Sequence, residues 1–98
     1  MGEFAVHALR TGSLVVDVQS DLLDPFETRV VVPLIAPEHA PRAPRRLNPV
    51  LEMPGGPRIL ATHLLAALPR AELGAPVGSL AAERDAIRAA LDMLFLEF

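Results

Sequence analysis

The stretch Ser79–Phe98 most constrains what this chain can fold into, because it is the one long segment with helical periodicity. Leu80, Ile87, Leu91, Leu94, Phe95 and Phe98 recur at helical spacing and line one face. Glu83, Arg84, Asp85 and Arg88 occupy much of the other side, where Arg84 and Arg88 repel mildly and Asp85, three residues before Arg88, offsets this. Ser79 is the expected N-cap, its hydroxyl accepting from the free amides of the first turn. The helix is predicted to run to Phe98, so that residue is expected to be core or contact surface rather than a frayed end. Phe95, in line with Ile87 and Leu91, is expected in the core.

Everything before this helix reads as strand and turn. Phe4–Leu9 and Leu14–Val18 alternate apolar and polar residues, the second rich in valine, around the turn Arg10-Thr11-Gly12-Ser13. They make a hairpin. Ser20–Phe26 is polar, contains Pro25 and reads as a connection. Thr28–Ala36 is the strongest strand, although Pro33 cannot donate to a ladder and demands an edge or a bulge. Pro37–Arg46 is a proline- and arginine-rich surface loop. Leu47–Met53 and Arg58–His63 flank the turn Pro54-Gly55-Gly56-Pro57, a second hairpin. Leu64–Leu73 fits a strand or a single helical turn, and Gly74–Gly78 reads as a linker. The expected architecture is one domain, residues 1–98, of mostly β (α+β) class: a small antiparallel barrel closed by a C-terminal helix over about 79–98.

Composition excludes several classes of function. The chain has 98 residues, no cysteine and a formal net charge of −3. Disulfides and thiolate sites are therefore absent, and the basic footprint of a nucleic-acid binder is missing. No apolar run is long enough to span a bilayer and no secretory pattern is visible, so a cytoplasmic address is expected, with no membrane partner. His7, His39 and His63 are scattered, and none has a second ligand type at metal spacing. No metal or cofactor is expected. Ser13, Ser20 and Ser79 have structural roles in turns and a cap, outside any nucleophile elbow. Asp17, Asp21 and Asp24 form the densest acidic cluster. Asp17 is expected to face away from Val16 and Val18, and Asp21 and Asp24 to bond their own backbone. Gly55-Gly56 is a turn, with no helix following to bind phosphate. These residues specify no reaction, and no catalytic residue is expected.

Four blocks in order, Val16-Asp-Val-Gln-Ser-Asp-Leu-Leu-Asp24, Arg29-Val-Val-Val-Pro-Leu34, Leu47-Asn-Pro-Val50 and the helix Ile87–Phe98, make the chain resemble the CcdB family. These are toxins of type II toxin–antitoxin modules. The resemblance implies an SH3-like barrel, a two-fold homodimer, a non-enzymatic poison that traps DNA gyrase on cleaved DNA through its A subunit, and a cognate antitoxin that neutralises it. It also implies transcriptional autoregulation, with DNA met only through antitoxin or gyrase. Carried over by position, the gyrase contacts are Leu22 and Leu23 in the connection, and Asp92, Phe95, Leu96, Glu97 and Phe98 on the helix. The exposed turn Arg10, Thr11, Gly12, Ser13 and the loop residues Arg42, Arg45 and Arg46 are candidates for antitoxin contact.

The chain departs from the family pattern at its end. Leu96-Glu97-Phe98 stands where the best-studied ending is Trp-Gly-Ile, and Asp92 replaces an asparagine. That is a lost hot-spot aromatic and two added negative charges per subunit. Two alternatives follow. One is an endoribonuclease, because a related toxin family with ribonuclease activity shares this barrel and dimer; it would want a basic groove and acid–base side chains, and the one basic cluster, Arg42, Arg45 and Arg46, fits loop solubility or an acidic antitoxin better. The other is a degenerate homologue acting only through antitoxin binding and co-repression.

Overall fold

The structure is a computed structural model that describes residues 2–39 and 42–96. Seven strands form one curled antiparallel sheet: β1 (Ala5–Ala8), β2 (Leu14–Asp17), β3 (Thr28–Ile35), β4 (Val50–Leu51), β5 (Arg58–Leu60), β6 (Ala66–Pro69) and β7 (Gly78–Ser79). Their order across the sheet is β4-β5-β3-β2-β1-β7, with β6 also paired to β3. One helix, α1 (Arg84–Leu96), follows. The fold class expected from the sequence is the one observed: a half-barrel sheet closed by a C-terminal helix.

Alternation along the strands sorts the side chains into two layers. Val6, Val16, Val32, Leu34, Leu51 and Leu60 turn to one face and pack with Leu80, Ile87 and Ala90 in the main core. Ile87 is wholly enclosed, a burial worth roughly 1.5–3 kcal/mol relative to exposure. The opposite face carries a smaller cluster of Val15, Val31 and Leu73, with Leu9 and Leu68 against it.

β3 is the central strand, and Pro33 sits in its middle. The proline is tolerated because its partner breaks there. Leu34 and Ile35 pair with β5, Thr28–Val31 pair with β6, and a 3-10 turn at Thr62–Leu64 separates the two partners. Pro33 accepts from the Ala61 amide through its carbonyl (2.9 Å), so its missing N–H faces the same break. The segment Leu64–Leu73, ambiguous in sequence, holds both alternatives: strand β6 and a 3-10 turn at Arg70–Glu72.

The helix begins later than its periodicity predicts. Gly78 and Ser79 pair with Val6 and Ala5 as an edge strand, a 3-10 turn spans Ala81–Glu83, and the α-helix starts at Arg84. Ser79 still caps, accepting from the Ala81 amide (3.2 Å), but it caps the 3-10 turn. Phe4 joins this edge to the hairpin. Its amide donates to the Asp17 carbonyl (2.6 Å), its carbonyl accepts from Leu80 (2.8 Å), and its φ of 70° is a strained conformation for a bulky residue. Arg88 lies over its ring, 5.5 Å from the centroid.

Candidate functional site

The break in the sheet beside Pro33 brings together residues far apart in sequence. The chain leaves the arginine loop through a tight turn in which Leu47 and Asn48 both donate to the Pro44 carbonyl (3.0 Å each). This buries Asn48, whose Nδ2 donates to the Leu60 carbonyl at 2.8 Å. The same nitrogen lies 3.4 Å from His63 Nδ1. An amide nitrogen can only donate, so His63 Nδ1 is the acceptor and the ring proton sits on Nε2. His63 itself is exposed. Thr62 beside it is fully buried, and among the described residues neither Thr62 Oγ1 nor Asn48 Oδ1 has a hydrogen-bond partner.

Arg42, Arg45 and Arg46 stand exposed on the loop that Asn48 terminates. The result is an accessible imidazole in a fixed tautomer, bonded to a buried amide two residues beyond the loop that carries three exposed arginines. Such a site can hold phosphates electrostatically and present an N–H donor to one of them.

A second polar cluster lies on the sheet face opposite the helix. Asp17 and Arg29 are both wholly buried. Arg29 Nε donates to Asp17 Oδ2 (2.7 Å), and Nη2 donates to Asp17 Oδ1 and to the Gln19 carbonyl (3.1 Å each). Asp21 and Asp24 add carboxylates at 3.7 and 3.6 Å. Burial works against the guanidinium charge, but the Asp17 hydrogen bonds and then the fields of Asp17, Asp24 and Asp21 outweigh it and raise the Arg29 pKa above its ordinary value. Gln19 continues the network: its Oε1 accepts from the Val30 amide and its Nε2 donates to the Leu23 carbonyl. From the other side Arg70 donates to the carbonyls of Asp24 and Phe26. The connection between β2 and β3 is thereby tied down at both ends. Held by the Asp17 carboxylate and the Gln19 carbonyl, Arg29 is a structural pin.

The residues singled out in sequence fall into distinct places. Asp17 faces away from Val16, as alternation requires. The Asp21 carboxylate accepts from the Glu3 amide (2.8 Å) instead of the expected local backbone bond, and Asp21 and Asp24 both join the Arg29 cluster. Leu22 is 91% exposed, Leu23 41% and Phe95 64%. Phe95 is thus outside the core expected for it: α1 buries only Ile87 and Ala90 fully. Asp92 and Leu96 are also exposed; Glu97 and Phe98 lie outside the described residues. Arg10, Thr11, Gly12 and Ser13 form the exposed hairpin turn, with Gly12 at φ 91°. His39 is exposed; His7 is buried, its Nδ1 2.8 Å from the Gly74 carbonyl.

Sequence reasoning did not single out Thr62, Gln19, Arg29 or Arg70, and set His63 aside. The only signal for Asn48 was its place in the Leu47–Val50 block. Among the described residues no group of three or more His, Cys, Asp or Glu is placed to hold a metal ion.

A curled seven-stranded half-barrel with a single C-terminal helix, SH3/PemK-like in form, is the fold of small bacterial toxin domains, and this chain is one of them. It belongs to the CcdB protein family, whose model matches residues 3–96. Among solved structures it is similar to the Mycobacterium tuberculosis toxin MazF-mt6, at 15% identity, a TM-score of 0.75 and coverage of 93% of this chain and 95% of that one. It is also similar to a second Mtb toxin, at 15% identity, a TM-score of 0.72 and coverage of 92% and 99%. No curated protein matches it in sequence.

These structural matches correct the mechanism that the family resemblance implied. One of them is a MazF toxin and neither is a gyrase poison by its description, which overturns three linked expectations: gyrase poisoning, the DNA gyrase A subunit as partner, and a protein without enzymatic activity. The exposed Leu22, Leu23, Phe95 and Leu96 are consequently not assigned to gyrase.

Proposed function

We propose that this chain is the toxin of a type II toxin–antitoxin pair and that it acts as an endoribonuclease on single-stranded RNA. The observation that carries the reading is the likeness of its fold to MazF-mt6 over 93% of its length. The site at the sheet break supports it, since RNA cleavage asks for cationic side chains along the backbone and a proton-carrying group at the scissile phosphate. Arg42, Arg45 and Arg46 supply the first and His63 the second.

The reaction is attack of the ribose 2′-oxygen on the adjacent phosphorus. The bond from phosphorus to the 5′-oxygen breaks, the 2′-hydroxyl gives up its proton, and the departing 5′-oxygen gains one. Negative charge grows on the phosphoryl oxygens in the transition state. His63 Nε2–H is the donor directed at them, and Asn48 holds the ring in that tautomer. Stabilisation of developing charge by a prepositioned donor is worth about 2.7–4 kcal/mol where it has been measured by deletion. The partners are a second copy of the chain, in a homodimer, and a cognate antitoxin. No helix among the described residues is long and apolar enough to cross a membrane, and an RNA target puts the activity in the cytoplasm.

Induced expression in the host, followed by mapping of new RNA 5′ ends, tests the reading. Growth arrest with new ends at a recurring short sequence, absent for His63→Gln, is the expected result. Growth arrest with intact RNA contradicts it.

A further inference from the structure

Resting on the RNA-cleaving reading, the geometry points to a base-binding subsite at the far end of β6 from His63. We propose that the groove beside Phe26 takes one splayed base of the single-stranded substrate, stacked on the phenyl ring with its amino edge against Glu27.

The groove has a volume of about 710 Å³, and its lining includes Pro25, Phe26, Glu27, Thr28, Pro69 and Arg70. It shares Ala71 with a neighbouring groove of about 310 Å³ that carries Arg10, Thr11 and Glu72. Phe26 is 58% exposed although it sits in a tightly held connection. Arg70 donates to its carbonyl (3.0 Å), and its amide donates to the Leu23 carbonyl (3.1 Å). An aromatic side chain on a held main chain, left bare, is a platform for stacking whose backbone ordering cost has already been met by the fold.

Charge decides what it stacks. The two grooves hold two guanidinium groups, Arg10 and Arg70, and two carboxylates, Glu27 and Glu72. With no net positive charge they do not attract phosphate. A base is different: it is neutral, has an apolar face for the ring, and carries edge donors and acceptors for Glu27 and Thr28. A carboxylate accepts from the exocyclic amino groups of adenine, cytosine and guanine, which uracil lacks. The distance also suits one continuous strand. Six residues separate His63 from Pro69, so the two sites lie no more than about 20 Å apart along β6, a span of a few nucleotides.

The test uses single-stranded RNA of a cleaved sequence, with a 2′-O-methyl group at the scissile nucleotide and 2-aminopurine placed at successive positions. The protein has no Trp or Tyr, so the probe fluoresces against a dark background. The proposal expects quenching at one position, its loss in Phe26→Ala, its retention in Phe26→Tyr, and about a tenfold weaker Kd for Phe26→Ala. Glu27→Gln should relax the discrimination against uracil at that position. Quenching, Kd and sequence preference all unchanged in Phe26→Ala, in a protein that still cleaves RNA, would overturn the subsite alone. An intact protein that neither binds nor cleaves RNA would overturn the subsite together with the reading beneath it.

Discussion

Asp17→Ala is the perturbation with the clearest expected magnitude. The Asp17 carboxylate accepts two hydrogen bonds from Arg29, at 2.7 and 3.1 Å, and both residues are wholly buried. Truncating one partner of a buried pair leaves the other charge without compensation, which costs about 3–5 kcal/mol. Arg29 keeps the Gln19 carbonyl at 3.1 Å and carboxylates at 3.6 and 3.7 Å, so the lower end of that range, about 3 kcal/mol, is expected. A domain of this size holds on the order of 5–15 kcal/mol in total. The loss should lower the urea midpoint by roughly 1–3 M and Tm by roughly 12–24 °C, followed by circular dichroism. The double variant Asp17→Leu/Arg29→Met removes both charges and should recover most of the loss. A single variant within about 0.5 kcal/mol of the parent, or a double variant no more stable than the single, would refute the argument that Arg29 is a pin.

Four further outcomes follow from the same structure. Arg29 has a folded pKa raised above its unfolded value, so its contribution is complete below the ordinary arginine pKa and is lost only as pH rises through the folded value; urea midpoints of the parent and Arg29→Met should differ by the same amount at pH 6 and pH 9.5. His63→Gln should lower RNA cleavage by about 100-fold or more with Tm within 2 °C of the parent, because the ring is exposed, and a large fall in Tm would show a structural role instead. Arg70→Ala removes bonds to two carbonyls of the β2–β3 connection and should destabilise by about 1–2 kcal/mol while speeding amide exchange in that segment, read by hydrogen exchange. Phe95→Ser, at a side chain 64% exposed, should shift the urea midpoint by no more than about 0.5 kcal/mol equivalent and leave cleavage unchanged; loss of cleavage would return the helix end to the functional surface.

The parts of the fold set by neighbouring residues were legible in the sequence. Alternation and turn chemistry placed the first hairpin, β3 and the turn at Pro54–Pro57, and alternation placed Asp17 opposite Val16. What depended on distant partners was not legible. Ser79 reads as a helix cap until Ala5 pairs with it across the sheet edge, which moves the start of α1 to Arg84. Pro33 asked for an edge or a bulge, but only the pairing of β3 with two separate strands shows how a central strand admits it. Phe95 follows the helical period correctly; periodicity says which face it shares with Ile87 and Leu91, not how far along the helix the fold buries that face. Asn48 and His63 lie fifteen residues apart and become a pair only when β5 breaks after Leu60. The aspartates were visible as a cluster, while the arginine that collects them was hidden in a strand of valines.

The family resemblance located the fold and misdirected the mechanism. One sheet-and-helix frame carries different chemistries in different toxins, so agreement along Val16–Asp24 and Arg29–Leu34 fixed the frame that those residues build. The blocks that matched are largely the pinned connection and the central strand.

Incubation of the purified protein with single-stranded RNA, beside His63→Gln and a duplex of the same sequence, tests the central claim most directly. The account predicts that the intact protein cuts the single strand at defined positions, leaving a 2′,3′-cyclic phosphate and a 5′-hydroxyl, while the duplex survives and His63→Gln is at least about 100-fold slower. Uncut RNA at stoichiometric protein, or equal cutting by His63→Gln, would contradict it.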